Sequence, residues 1–105
     1  MKLVRDNIPS IIKQQVGKCN YHACKNNEEL LNYLNKKVFE EVDEFLKDPS
    51  VEELIDIITV AIAILKNKNV LDDSYSLDDI FVILENSYNT KARERGEFKK
   101  GYILE

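Results

Sequence analysis

Glycine, proline, cysteine and histidine are all scarce in this 105-residue chain, which contains three glycines, two prolines, two cysteines and one histidine. Because glycine and proline mark turns, their scarcity favours a few long helices over many short strands. The longest apolar run, residues 57–65, includes Thr59 and is far too short to cross a bilayer. Charged residues follow the first four residues at once, in Arg5 and Asp6, so we expect no signal-peptide core and a cytoplasmic location.

An excess of positive charge is also missing. The formal net charge is −4, which gives no electrostatic basis for binding nucleic acid or an anionic membrane surface. Any anionic ligand must therefore be attracted by a local positive site or by a metal ion. A hydrophobic content of 44% and a charged content of 32% are typical of an ordinary globular chain. The length predicts a single domain, residues 1–105, with a real core.

The two cysteines lie close to the histidine. Cys19 and Cys24 flank His22 in the order C-x2-H-x-C, which raises the question of a zinc site. Structural zinc sites take four ligands, and no fourth ligand of the usual kind lies nearby in the sequence. We therefore expect two free thiols here.

Hydrophobic periodicity and capping residues predict an all-α fold with four helices. The predicted helices cover residues 5–16, 26 or 27 to about 47, 50–65, and 76 to about 95. Asn26 and Ser50 are followed three residues later by glutamate, and Ser76 is followed by aspartate, as in capping boxes. The third helix is apolar on nearly every side, which is typical of a buried central helix. A four-helix bundle-like domain with a short first helix is the expected architecture.

Two acidic clusters flank the break between the second and third predicted helices: Glu40-Glu41-x-x-Glu44 and Glu53-x-x-Asp56. If residues 47–50 turn the chain back, the two helices bring four or five carboxylates face to face. Close carboxylates repel and raise one another's pKa values, so such a cluster needs a cation. Hard oxygen ligands favour Mg²⁺, with Mn²⁺ as the alternative, over zinc. The competing hypothesis is that these acids are solvated helix faces.

Two of the acids occupy positions where hydrophobic residues are expected. Glu41 falls at the edge of the apolar arc of the second helix, and Asp56 lies inside the apolar run of the third. A buried acid is costly unless it is paired or metal-bound, so these positions favour a site. For Glu53 alone, the capping box with Ser50 is a sufficient explanation.

The fourth helix carries a predicted core line of Leu77, Phe81, Leu84 and Tyr88. Continued in steps of three and four, this line reaches Lys91 and Arg95, so the apolar stripe becomes basic at its end. Two cations beside a metal-bound substrate would bind phosphate oxygens and offset charge in the transition state. The alternative is simple complementation of the helix dipole by cations in the last turn.

Three ordered motifs carry a resemblance to a known family. The acidic spacing resembles the EExxE…ExxD signature of the all-α nucleoside triphosphate pyrophosphohydrolases, the MazG-like and phosphoribosyl-ATP pyrophosphohydrolase-like proteins. The opening KLVRDNIPSII is similar to the KLVRDKIPEII-type start of a small MazG-like subgroup. The segment Asn89-x-Lys91-x-x-x-Arg95-Gly96-x-Phe98 resembles the N-x-K-x-x-x-R ending. Asn7 departs from the lysine usual in the subgroup, and Glu97 interrupts the usual RGGF.

The resemblance implies a Mg²⁺-dependent homodimer or homotetramer that cleaves between the α and β phosphates, giving a nucleoside monophosphate and pyrophosphate. House-cleaning of non-canonical or excess nucleotides is the implied role. By motif, the metal ligands are Glu41, Glu44, Glu53 and Asp56, the catalytic residues are Glu40 and Glu41, and the phosphate-binding residues are Lys91 and Arg95. Three alternatives remain open: a phosphoribosyl-ATP pyrophosphohydrolase, a nucleotide-binding regulator without turnover, and a non-catalytic helical interaction module.

Overall fold

The computed structural model describes residues 1–105 and is all-α, with four helices and no strand. The helices are α1 (Ile8–Val16), α2 (Asn27–Lys47), α3 (Val51–Asn67) and α4 (Leu77–Arg95). The chain divides into two compact units, Met1–Leu71 with α1 to α3 and Asp72–Glu105 with α4. None of the four helices combines the length and apolar character needed to span a membrane.

Helix α1 begins at Ile8, three residues later than the predicted range of 5–16. Asn7 stands at the N-cap but makes no side-chain capping hydrogen bond, and Pro9 lies in the first turn, where its missing N–H costs nothing. The helix ends at Gly17, whose amide donates to the Lys13 carbonyl at 2.8 Å. Gly17 has φ 94°, a left-handed conformation that favours glycine and stops the helix.

Helices α2 and α3 begin at the predicted capping residues. The Asn26 side chain accepts a hydrogen bond from the Glu29 amide at 2.9 Å, and the Ser50 hydroxyl accepts one from the Glu53 amide at 3.1 Å. Each bond satisfies one of the amides that the first turn of a helix leaves without a partner. The starts of both helices are therefore set by local sequence.

Helices α2 and α3 pack against each other as an antiparallel hairpin. The Asn67 side chain donates to the Asn27 carbonyl at 3.0 Å, which joins the end of α3 to the start of α2. The buried apolar residues of this unit are Leu34, Val60 and Leu71. The hairpin places the C-terminal half of α2 beside the first turns of α3, where the two acidic clusters lie.

The sequence predicts α3 as a buried central helix, but the structure buries it only in part. Val60 is its one buried residue, and Leu54 and Ile55 are exposed. Within the first unit, α2 packs on α3, and the residues of α3 from 56 to 67 are half-buried except for the buried Val60. Helix α2 likewise exposes Phe39, Val42 and Leu46, which lie at positions i, i+3 and i+7 on one face.

The predicted core line of α4 is also wrong. Leu77, Phe81 and Tyr88 are exposed and Leu84 is half-buried. Ile80, which lies off this line, is almost completely buried, at 1% exposure. The start of α4 agrees with the sequence, because Ser76 and Asp79 form a complete capping box. The burial of Ile80 depends on tertiary packing, which the step pattern of a single helix does not report.

Candidate metal centre

The structure assembles three carboxylates from two helices. Glu41 on α2 and Glu53 and Asp56 on α3 each offer an oxygen, and these three oxygens lie within 4.8 Å of one another. Glu53 and Asp56 are three residues apart and share a face of α3, and the hairpin turns that face towards Glu41. These residues, here called the acidic triad, are three of the four metal ligands that the sequence predicts.

Two oxygens of the acidic triad are buried without a hydrogen-bond partner. They are Glu41 Oε2 and Glu53 Oε2, and the whole Glu41 residue is only 6% exposed. A buried carboxylate oxygen without a partner is energetically costly. A divalent cation would satisfy both oxygens at once, and three carboxylates are a hard-oxygen donor set that suits Mg²⁺ or Mn²⁺. Acids on a solvated helix face would be exposed, whereas Glu41 and one oxygen of Glu53 are buried.

Lys37 occupies the other oxygen of Glu41. Its amino group lies 3.2 Å from Glu41 Oε1, one helical turn away on α2, and its side chain is only 17% exposed. Sequence reasoning did not include Lys37, although its i, i+4 spacing to Glu41 was a usable signal. Because Lys37 holds Oε1, the oxygen left for a ligand is Oε2.

The electrostatics of Glu53 bring a fourth acid into the site. Burial of its carboxyl group raises the pKa of Glu53 above its usual value, and repulsion from Glu44 raises it further. Asp56, Glu41 and Asp48 act in the same direction. Glu44 is exposed and lies outside the acidic triad, yet it is close enough to repel Glu53. Its role as a metal ligand stays a prediction.

Glu40 lies beside the acidic triad and not within it. Its carboxylate is exposed and stands 3.9 Å from the amino group of Lys37. Together with Lys36 and Lys37 it lines a shallow groove of about 280 Å³ that also includes residues 1–3. Its catalytic role is likewise still a prediction, and the structure leaves its carboxylate accessible to water.

Lys91 and Arg95 lie in the last turns of α4, in the second unit. Both are exposed, and they line the same surface groove of about 360 Å³. Their i, i+4 spacing accounts for this shared position. Their assignment to substrate phosphates stays a prediction.

Arg5 is a site contact that sequence reasoning missed. Its Nη2 lies 2.6 Å from Asp56 Oδ1 and 3.2 Å from Thr59 Oγ1. Arg5 and Asp56 are 51 positions apart, so no local spacing connects them. The available signal was the KLVRD opening, which contains Arg5 and lies within the family resemblance.

Cys19 and Cys24 are unpaired, half-buried thiols, and His22 is exposed. None of the three belongs to the acidic triad, which is the group of metal-ligating side chains that the structure assembles.

No protein-family model, curated protein or solved structure matches this chain.

Proposed function

We propose that this protein is a Mg²⁺-dependent nucleoside triphosphate pyrophosphohydrolase that converts a nucleoside triphosphate and water into a nucleoside monophosphate and pyrophosphate. The observation that carries the proposal is the acidic triad, in which Glu41 and Glu53 each bury a carboxylate oxygen that has no protein partner. Mg²⁺ characteristically bridges carboxylates to substrate phosphates. The three sequence motifs support the same reaction.

The roles of the acids follow from their positions. Glu41, Glu53 and Asp56 would hold the ion, with Glu44 completing the set at its edge. A bound Mg²⁺ would supply Lewis-acid polarisation of the phosphate under attack. Glu40 and Glu41 are the proposed catalytic residues, and the exposed carboxylate of Glu40 is suited to orient the attacking water and accept its proton.

Lys91 and Arg95 would bind phosphate oxygens of the leaving pyrophosphate. The support is that these two cations lie one helical turn apart and line a single groove, where both can donate to phosphate oxygens. The water attacks the α-phosphorus, and the bond to the bridging oxygen breaks, so that this oxygen leaves with the β-phosphate.

Pyrophosphate release is the direct test. The protein, with Mg²⁺, is offered a panel of ribo- and deoxynucleoside triphosphates and phosphoribosyl-ATP. We expect turnover that Glu41→Gln abolishes. Glu28→Gln is the matched control, since Glu28 is an exposed acid in the first turn of α2, and it should keep full activity.

The other outcomes separate the alternatives. If phosphoribosyl-ATP is cleaved and no nucleoside triphosphate is, the protein is a phosphoribosyl-ATP pyrophosphohydrolase. Nucleotide binding without product would indicate a regulator. If no triphosphate is cleaved and neither Mg²⁺ nor Mn²⁺ raises the melting temperature, the acids are surface charges of an interaction module, because a specific site in the folded state must stabilise it.

We also propose that the chain forms a homodimer or homotetramer built as a helical bundle. The support is the exposed stripe of Phe39, Val42 and Leu46 on α2 and the exposed Leu54 and Ile55 on α3. Bundles bury such apolar stripes against neighbouring helices.

Phe39→Glu should convert the assembly into monomers in light scattering after size exclusion, because a charge in an apolar interface is unfavourable. Gln14→Glu, which adds the same charge at an exposed position of α1, should leave the assembly intact. A monomeric parent protein would contradict the proposal.

A further inference from the structure

One arginine outside the acidic triad lies directly against one of its members. Arg5 Nη2 donates to Asp56 Oδ1 at 2.6 Å, across 51 positions of sequence. Arg5 precedes α1, so the N-terminal segment reaches the proposed metal site through this side chain.

The guanidinium group of Arg5 is held in a defined orientation. Thr59 Oγ1 is its second acceptor, at 3.2 Å, and lies one helical turn from Asp56 on α3. The Thr59 hydroxyl donates its own hydrogen to the Ile55 carbonyl at 2.7 Å. Because that hydrogen is committed to the helix backbone, the lone pairs of Oγ1 remain to accept from Arg5.

The contact does not have the character of a stabilising buried ion pair. The side chain of Arg5 is 53% exposed and that of Asp56 is 37% exposed, and ion pairs in such positions contribute little to stability. Lys37, the other cation against the acidic triad, is 17% exposed and is flanked by Glu41 and Glu40. Of the two cations, Arg5 is the one open to a ligand.

Arg5 also retains unused hydrogen-bond donors. Both of its protein hydrogen bonds come from Nη2, so the N–H groups on Nη1 and Nε have no protein acceptor. The planar fork of a guanidinium matches phosphate oxygens in two-point contacts. Because Arg5 contacts Asp56, these donors belong to a side chain that directly adjoins the acidic triad, where a cation would bind a phosphate.

We propose that Arg5 is a phosphate-binding residue of this site, which Asp56 and Thr59 orient in advance and which donates from Nη1 and Nε to the substrate's phosphates. This inference rests on the proposed function and deepens it. It assigns a phosphate contact to the same unit that holds the acidic triad.

Calorimetry with two separate probes tests this assignment. Mn²⁺ alone is titrated into the metal-free protein, and inorganic triphosphate is then titrated in the presence of saturating Mg²⁺. For Arg5→Gln we expect triphosphate affinity to fall by about tenfold or more, since hydrogen bonds to charged groups are strong. Mn²⁺ affinity should be unchanged or slightly higher, because a competing positive charge is removed from Asp56.

Two further variants and one control complete the experiment. Arg5→Lys keeps the charge but loses the fork, so we expect an intermediate loss of triphosphate affinity. Thr59→Val removes one acceptor of Arg5 without changing charge and should give a smaller loss. Lys18→Gln removes an exposed positive charge that contacts no carboxylate, and both affinities should match the parent.

Three results would overturn the inference, and they are distinguishable. If Arg5→Gln binds triphosphate as tightly as the parent, Arg5 does not contact phosphate, while the proposed function stands. If Arg5→Gln remains folded by circular dichroism but loses Mn²⁺ and triphosphate together, Arg5 supports the acidic triad instead. If the parent itself binds no Mn²⁺, the proposed metal site fails and this assignment fails with it.

Discussion

Helices α3 and α4 begin with the same local pattern but use it differently. Ser50 and Ser76 each stand at the N-cap and accept a hydrogen bond at 3.1 Å from the amide of an acid three residues later. In α4 the Ser76 amide in turn donates to the carboxylate of that acid, Asp79, at 3.1 Å. In α3 the Glu53 carboxylate lies in the acidic triad, with Oε2 buried and unpartnered.

This difference shows that a capping pattern fixes where a helix starts but not where the acid points. The packing of α2 against α3 brings Glu41 next to Glu53, so the carboxylate joins a cluster instead of closing the box. Capping was a sufficient explanation of Glu53 in the sequence, and the structure shows that only the serine half of the box is formed.

The largest expected effect is on metal binding. Glu53→Gln should weaken Mn²⁺ binding by at least about 10–100-fold, since even residues that only support metal ligands have effects of that size. Asp79→Asn, the same change at the matching position of α4, should leave Mn²⁺ affinity unaltered. Electron paramagnetic resonance of free Mn²⁺ measures both. If the two variants bind Mn²⁺ with equal affinity, Glu53 is no more a metal ligand than Asp79 is.

The two acids should also have opposite effects on stability without metal. Asp79→Asn weakens a reciprocal cap and a favourable charge at a helix N-terminus, so we expect a loss of about 0.3–1 kcal/mol. Glu53→Gln relieves repulsion within the carboxylate cluster, so we expect the melting temperature of the chelated protein to rise. Thermal unfolding in the presence of a chelator measures the change in stability of both variants. A lower melting temperature for both variants would contradict the expected difference between the two acids.

The third effect is a pH dependence that originates at α3. Burial and neighbouring acids raise the pKa of Glu53 in the folded state, so the folded protein holds this proton more tightly than the unfolded chain. The metal-free protein should therefore gain stability as the pH falls from above the folded pKa of Glu53 towards its unfolded value near about 4.3. Glu53→Gln should remove this gain. Unfolding curves across that range, with chelator present, measure it.

The smallest effect is expected just before α4, where Asp72 has the opposite shift. The backbone N–H of Ser74 and then its hydroxyl donate to the Asp72 carboxylate and lower its pKa. Asp72 therefore contributes stability that is fully present above its unfolded pKa and is lost as the pH falls through its folded pKa. Ser74→Ala should reduce this contribution slightly. If Ser74→Ala changes the pH dependence of stability more than Glu53→Gln does, the expected order of the two effects is wrong.

Local chemistry made much of the fold predictable. The starts of α2, α3 and α4 follow from Asn26, Ser50 and Ser76, because capping involves residues only three positions apart. The burial of Glu41 was likewise readable, since its position in the apolar arc of α2 is a property of that helix alone. The exposure of Leu77, Phe81 and Tyr88 could not be predicted from the sequence, because burial depends on what packs against a helix.

The four helices, most of their ends and the identity of the acids that can meet follow from the amino-acid sequence, because they depend on spacings of three and four residues. Tertiary packing places the Glu53 carboxylate in the acidic triad, pairs Lys37 with one oxygen of Glu41, and brings Arg5 to Asp56. The direction of a side chain is set by the groups that surround it. At this site those groups come from α2, α3 and the N-terminal segment, which the fold brings together from distant parts of the chain.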